Sequence, residues 1–123
     1  MVREMGLNVG VYVKGEILIL RLKGELDDVT VSDLRKRITD YIDGYKINHL
    51  VINFANLDFL DSSGIGFIIG RYHQIKKRNG DITLCNIPIK LDRIISISGL
   101  YKICIIRESE QAALISMGEK ING

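Results

Sequence analysis

Strand-like apolar runs and amphipathic segments alternate along the chain. Residues 49–54 are nearly continuously apolar, which is typical of a central strand covered by other elements. Residues 9–14 and 16–23 are two further strand-like runs with a turn between them. With the shorter runs at 81–86 and 103–106, the pattern predicts five strands.

Four helices are predicted between and after these strands, because apolar residues recur there at helical spacing. The first helix is expected to be capped by Asp28 or Thr30 and to end near Gly44. Residues 88–98 and 108–117 form the third and fourth helices. The apolar faces of the first two helices consist of Val31, Leu34, Ile38, Tyr41 and Ile42, and of Ile65, Ile68, Ile69, Tyr72 and Ile75.

Strands that alternate with helices indicate an α/β domain with a mixed, mostly parallel sheet and right-handed crossovers. Each helix has one apolar stripe, so we expect the helices mainly on one side of the sheet. A chain of 123 residues fits a single domain over 1–123, in which residues 1–8 and 118–123 are expected to fray. Gly66 and Gly70 on the second helix each cost about 1 kcal/mol relative to alanine. We therefore expect a neighbouring element to pack closely against both glycines.

Composition and charge narrow the function classes. The net charge is +2, and the basic cluster at 76–78 lies at a predicted helix C-terminus, where the helix dipole accounts for it. We therefore expect no direct DNA binding. Polar residues break the apolar runs, and residues 1–4 lack the apolar region of a signal peptide, so no membrane partner is expected. Cys85 and Cys104 lack metal-ligand spacing and are interpreted as buried, reduced thiols of a cytoplasmic protein.

The segment Asp61-Ser62-Ser63-Gly64 follows a predicted strand and begins the second helix. A hydroxyl at a helix N-terminus lies near backbone N–H groups and the positive end of the helix dipole, which favour an anion. A serine there can be an N-cap, a nucleophile or the acceptor of a phosphate. These physical arguments leave the three roles open, and they do not choose between Ser62 and Ser63.

A serine nucleophile needs a base within hydrogen-bond reach. His73 lies eleven residues beyond Ser62 on the same helix, about 16 Å away. His49 begins the preceding strand, more than about 15 Å away. The chain also lacks a Gly-x-Ser-x-Gly pattern at this segment and a phosphate-binding loop, and its aspartates near strand ends are interpreted as turn residues rather than metal ligands. These residues therefore predict no hydrolase chemistry, no metal site and no cofactor.

Three blocks of the sequence form a recognisable pattern. They are Gly24-Glu25-Leu26-Asp27, then Leu57-Asp58-Phe59-Leu60-Asp61-Ser62-Ser63-Gly64-Ile65-Gly66 continuing through Gly70-Arg71-Tyr72, and Ser98-Gly99-Leu100-Tyr101-Lys102-Ile103. In order and spacing, the chain resembles the anti-sigma factor antagonists of the STAS domain family over nearly its whole length. Among these it is most similar to the sporulation type, which frees an early forespore sigma factor.

The resemblance implies a signalling protein rather than an enzyme. With its STAS-type fold, such a protein binds an anti-sigma factor and thereby displaces a sigma factor. The anti-sigma factor is implied to be a serine kinase as well, which phosphorylates Ser62 and so turns binding off. A protein phosphatase then reverses the modification. Asp27 is implied to lie near the phosphorylation site, and Asp61, Ser63 and Gly64 are expected to support that site and contact the partner.

Two alternatives stay open from the sequence. One is a STAS module of a general-stress partner switch or of a larger signalling assembly, which the identity of the bound kinase would distinguish. The other is a small nucleotide-binding or nucleotide-hydrolysing protein, which titration with ATP and GTP would test.

Overall fold

Five strands form one mixed sheet in the computed structural model, which describes residues 6–122 and the side chains of residues 6–118. They are β1 (Leu7–Lys14), β2 (Ile17–Leu26), β3 (His49–Leu60), β4 (Ile82–Cys85) and β5 (Ile105–Arg107). Their order in the sheet follows the chain, with β1 antiparallel to β2 and the strands from β2 to β5 parallel. The predicted α/β fold with a mixed, mostly parallel sheet is confirmed.

Helices connect the parallel strands. They are α1 (Asp28–Gly44), α2 (Ser62–Lys76), α3 (Ile89–Ser98), α4 (Leu100–Ile103) and α5 (Glu110–Asn122). Because consecutive parallel strands are also neighbours in the sheet, right-handed crossovers place α1, α2 and α3 on one face. The last helix, α5, packs against β3, β4 and β5 from the opposite face. Among the residues described, none of these helices is long and apolar enough to cross a membrane.

The period-two alternation of β2 explains why the core has two hydrophobic clusters. Leu18, Leu20 and Leu22 point into the larger cluster, beneath α1, α2 and α3, and are almost fully buried. Ile17 and Ile19 point to the other face, into the smaller cluster that α5 closes. Both faces of the central strands are covered, which is why they contain nearly continuous apolar runs.

The second and third strands continue well beyond their predicted ends at residues 23 and 54. The structure pairs them as far as Leu26 and Leu60, which are partners in the parallel ladder. Two register irregularities in this ladder let the polar segment stay paired. The apolar pattern missed the extension because polar residues interrupt it.

Both chain ends belong to regular elements further out than predicted. β1 begins at Leu7 and α5 extends to Asn122, inside the segments that were expected to fray. The other residues at the ends, 1–5 and 123, lie outside the residues that the structure describes. The short helix α4 was not predicted, and it leads the chain from α3 to β5.

The prediction that Gly66 and Gly70 permit close packing is wrong. Among the described residues, a Cβ atom added at either glycine would meet no atom of a neighbouring element within 4 Å. Neither residue has the positive φ that would favour glycine. The two glycines therefore reduce the stability of α2 without a packing contact that offsets their cost.

We expect Gly66→Ala and Gly70→Ala each to stabilise the fold by about 1 kcal/mol, because alanine loses less conformational entropy than glycine in a helix. Urea-induced unfolding of the two single variants measures the change. A lower free energy of unfolding in either variant would contradict the open surroundings of that glycine.

Candidate functional site

The helix α2 begins directly after β3, and the side chain of Asp61 caps it. Asp61 Oδ1 accepts hydrogen bonds from the backbone N–H groups of Ser63 at 2.9 Å and Gly64 at 3.1 Å. Ser62 is thus the first residue of the helix and not its N-cap. Of the three roles that the sequence left open for this serine, the N-cap is therefore wrong. Ser62 is exposed, and its hydroxyl makes no hydrogen bond within the described part of the chain.

Asp27 caps α1 in the same way. Its Oδ1 accepts hydrogen bonds from the N–H groups of Val29 and Thr30, both at 3.0 Å. The N–H of Asp27 donates in turn to Thr30 Oγ1 at 3.0 Å, which completes a capping box. The prediction that Asp28 or Thr30 caps this helix is therefore wrong: Thr30 is the partner of the cap, and Asp28 is the first helical residue.

The two caps lie next to each other at the carboxyl edge of the sheet. Leu26 and Leu60 are partners in the β2–β3 ladder, so Asp27 and Asp61 each follow one member of the pair. The N–H of Asp61 also donates to the carbonyl oxygen of Leu26 at 3.3 Å. Neighbouring strands are about 4.8 Å apart, so the positive dipole ends of α1 and α2 open side by side at this edge.

Gly64 allows α2 to begin this close to the end of β2. A Cβ atom at position 64 would lie 2.8 Å from the carbonyl oxygen of Leu26 and 2.5 Å from Cδ1 of Leu60. Only glycine therefore fits at position 64 without a shift of the helix or of the end of β2. The fold thus brings five residues together at one edge of the sheet, namely Asp27, Asp61, Ser62, Ser63 and Gly64.

A mostly apolar groove of about 600 Å³ lies beside this edge, between the end of β3 and α3. At its rim, Lys90 Nζ lies 2.8 Å from Asp58 Oδ1, and this hydrogen-bonded ion pair lowers the pKa of Asp58. Phe59 is 47% exposed and Ile97 is 75% exposed, although both are large and apolar. The sequence prediction did not include this groove.

The surroundings of Ser62 do not favour nucleophilic catalysis. His73 lies in the last turn of α2, about three turns from Ser62, and His49 lies at the start of β3. Within the described residues, no group of histidine, cysteine or acidic side chains could hold a metal ion. Burial raises the pKa of the Cys85 and Cys104 thiols to about 12, so both are weak nucleophiles at neutral pH.

A model of the STAS domain family matches residues 8–113 of the chain. The chain belongs to the STAS domain family. The anti-sigma F factor antagonist of Paenibacillus polymyxa is 35% identical to it over 113 residues, which are 92% of this chain and 97% of that protein. The resemblance to the sporulation-type antagonists of the STAS family is confirmed.

Two solved structures of the antagonist SpoIIAA have the same fold as this STAS protein. The unphosphorylated form matches with a TM-score of 0.78 and 28% identity, over 91% of this chain and 96% of that chain. The phosphorylated form, described as a Bacillus cell fate determinant, matches with a TM-score of 0.70 and 28% identity, over 90% and 98% of the two chains. The fold is therefore shared with both states of a relative that is phosphorylated.

Proposed function

We propose that this STAS protein is an anti-sigma factor antagonist switched by phosphorylation of Ser62. In the unphosphorylated form it binds an anti-sigma factor that is also a serine kinase, and binding releases the sigma factor. Phosphorylation of Ser62 ends binding, and a protein phosphatase restores it. The observation that carries the proposal is the exposed Ser62 at the first position of α2, on the sheet edge where the capped N-termini of α1 and α2 lie side by side.

The surroundings of the two serines favour Ser62 over Ser63 as the phosphate acceptor. Ser62 is exposed, whereas Ser63 is partly buried and its N–H donates to Asp61 Oδ1 at 2.9 Å. A kinase has to enclose the hydroxyl group that it modifies. The more exposed serine is therefore the better substrate.

The fold is expected to tolerate a phosphate on Ser62. A phosphoserine carries about −1.5 to −2 charges at neutral pH. At the first turn of α2, the positive end of the helix dipole stabilises negative charge. The effect of phosphorylation is therefore expected at the binding surface rather than on the folded state.

The binding surface is already acidic before phosphorylation. Asp27 and Asp61 directly follow the paired ends of β2 and β3, and Asp28 starts α1, whereas the nearby Asp58 is paired with Lys90. A phosphate on Ser62 concentrates further negative charge and bulk at this edge. A partner that packs against Ser62 then has to enclose the phosphate together with the carboxylates of Asp27 and Asp61. Like-charge repulsion among these groups, with the bulk of the phosphate, weakens binding without a large conformational change.

Co-purification with candidate anti-sigma kinases, with and without ATP, tests the proposed function as a whole. We expect the unphosphorylated protein to retain its kinase and to release the sigma factor from it. ATP should dissociate the complex as Ser62 becomes modified. A protein that binds none of the candidates, but binds labelled ATP or GTP directly, would contradict the proposal and favour a nucleotide-binding role.

Kinase treatment should place phosphate on Ser62 and not on Ser63. Site-resolved mass spectrometry of the treated protein decides between the two residues. Ser62→Ala should incorporate no phosphate, whereas the matched control Ser63→Ala should incorporate it as the unchanged protein does. Phosphate found mainly on Ser63 would show that the site is displaced by one residue.

Asp27 should matter more for partner function than for folding, provided that the cap of α1 is kept. Asparagine caps helices about as well as aspartate, so Asp27→Asn should change the free energy of unfolding by less than about 1 kcal/mol. Asp27→Ala removes the cap and should cost about 1 kcal/mol. Kinase binding by Asp27→Asn should fall about tenfold, which corresponds to about 1.4 kcal/mol.

Thermal melting and kinase binding measured on the same samples separate the two roles of Asp27. If Asp27→Asn melts far earlier than the unchanged protein, yet binds and is phosphorylated normally per folded molecule, then Asp27 is structural. That result would also remove Asp27 from the acidic surface around Ser62.

A further inference from the structure

Arg71 is a buried cation on α2 without a partner for its charge among the described residues. The residue is 8% exposed, and the ring centroid of Phe67 lies 5.1 Å from its Cζ. Its Nε and Nη1 atoms are buried and have no hydrogen-bond partner among the described residues. The third nitrogen, Nη2, is not both buried and unpaired. Burial lowers the pKa of the guanidinium, and the like charge of Arg35 on α1 lowers it further.

This arrangement destabilises the folded protein unless something else binds there. A buried charge without a counter-charge, and buried donors without acceptors, both cost free energy. The same face of α2 carries the buried aliphatic residues Ile68 and Ile75, so an apolar side chain would suit the position. Arg71 also belongs to the block Gly70-Arg71-Tyr72, which the proposed function leaves without a role.

A second unpaired polar atom lies one turn further along α2. The Oε1 atom of Gln74 is buried without a donor among the described residues. Residues three apart are neighbours on a helix surface, so Gln74 and Arg71 lie close to each other. The two side chains together present unpaired donors and an unpaired acceptor.

We propose that Arg71, on the face of α2 that lies against α1, binds a single oxyanion group, either a phosphate or a carboxylate. The guanidinium group matches two oxygen atoms of either anion, through Nη2 together with an adjacent nitrogen. Arg35 adds a second positive charge from α1. A phosphate that keeps one proton can also donate its O–H to Gln74 Oε1, so it satisfies more of the unpaired atoms than a carboxylate does.

This site is separate from the phosphorylation site. Arg71 follows Ser62 by nine residues on the same helix, about 13 Å along its axis. A phosphate attached to Ser62 does not span that distance. The oxyanion must therefore come from a free ligand or from another molecule.

Thermal melting of the intact protein in sodium phosphate and, separately, in sodium acetate tests the site at constant ionic strength. At ten times the dissociation constant, we expect a saturable rise of about 4 °C in the melting temperature. Without an oxyanion, Arg71→Met should melt at a higher temperature than the unchanged protein, because it removes the buried charge. The same variant should show no saturable rise in either salt.

Two surface variants keep the test independent of core packing. Arg35→Gln on α1 should raise the dissociation constant for the oxyanion several-fold. It should not disturb the core, since Arg35 is exposed. Lys36→Gln, the matched control, removes the same charge at the next exposed position and should leave the effect unchanged. Equal weakening in both variants would mean general charge screening and would overturn the proposal.

The two salts distinguish the sources of the oxyanion. A rise with phosphate and not with acetate supports a phosphate-bearing ligand, whereas a rise with both supports a carboxylate side chain of a partner as well. A non-saturable rise of equal size in every variant would reflect exclusion of salt from the protein surface and would overturn the site. The site would also be overturned if neither salt raised the melting temperature of the unchanged protein. Destabilisation of Gln74→Met would then show that Arg71 and Gln74 pair with each other.

Discussion

Phosphorylation of Ser62 should weaken the complex with the anti-sigma kinase by about a hundredfold or more. The phosphate adds about −1.5 to −2 charges beside the caps Asp27 and Asp61, on the surface where we expect the partner to bind. Like-charge juxtaposition at an interface costs several kcal/mol, and each 1.4 kcal/mol corresponds to about a tenfold change in affinity. Calorimetric titration of the kinase with both forms of the protein measures the ratio of the dissociation constants.

Substitutions at position 62 separate the contributions of charge and size. Ser62→Asp should bind poorly, although one carboxylate imitates a phosphate incompletely. Ser62→Asn is the matched control, because asparagine has almost the same size as aspartate but carries no charge. If Ser62→Asp binds as tightly as Ser62→Asn, the electrostatic account of the switch is wrong.

Ser62→Ala should fold normally, bind the kinase and never be switched off. The structure strengthens the first expectation, because Asp61 and not Ser62 caps α2. The phosphorylated protein should likewise melt within a few degrees of the unmodified protein, since the start of α2 favours an anion. A large loss of stability on phosphorylation would instead point to a switch that acts by unfolding.

The periodicity of apolar residues predicted the elements of this fold but not their ends. Patterns such as the run at 49–54 identify a strand because burial on both faces demands apolar residues there. The ends depend on pairing and capping, which several residue types can satisfy. From the sequence alone, Asp27, Asp28 and Thr30 are equally plausible N-caps of α1. The cap is Asp27 because β2 extends to Leu26 and the helix begins at Asp28.

The candidate site was predictable in part because its residues are close in sequence. The four residues from Asp61 to Gly64 are typical of a helix N-terminus, and the family resemblance indicates Ser62 as the phosphorylated residue among them. Their proximity to Asp27 depends on the Leu26–Leu60 pairing across the parallel strands, which periodicity does not reveal. Resemblance and the general tendency of strand ends to gather binding residues supplied that expectation.

The groove beside α3 was not predictable from the apolar pattern. The helix is rich in isoleucine on more than one face, so hydrophobicity does not show which residues pack inward. In the structure Ile95 is fully buried, whereas Ile89 is 94% exposed and Ile97 is 75% exposed. The buried charge of Arg71 escaped notice for the opposite reason, because an arginine in an amphipathic helix is normally assigned to the solvent face.

Replacing Gly64 by alanine should destabilise the fold by about 2 kcal/mol, in the range of overpacked cores. The added Cβ would lie 2.5 Å from Leu60 Cδ1 and 2.8 Å from the carbonyl oxygen of Leu26. The leucine side chain can rotate away, but the carbonyl oxygen belongs to the β2 backbone and accepts the N–H of Asp61 at 3.3 Å. The start of α2 therefore has to move, and the hydrogen bonds of the Asp61 cap weaken with it.

Gly66→Ala is the matched control for Gly64→Ala, because it makes the same change two residues further along the same helix. The added Cβ meets no neighbouring atom within 4 Å in the described part of the chain, so this variant should be more stable by about 1 kcal/mol. Urea-induced unfolding should therefore separate the two variants by about 3 kcal/mol. If both variants are stabilised equally, the approach of α2 to β2 at Gly64 is not close.

The displacement caused by Gly64→Ala should also reach the phosphorylation site. Ser62 lies in the same helical turn as Gly64, and both depend on the cap that Asp61 provides. We therefore expect slower phosphate incorporation by the folded fraction of Gly64→Ala than by that of Gly66→Ala, at equal kinase concentration. Equal rates per folded molecule would show that Gly64 serves the stability of the fold and not the position of Ser62.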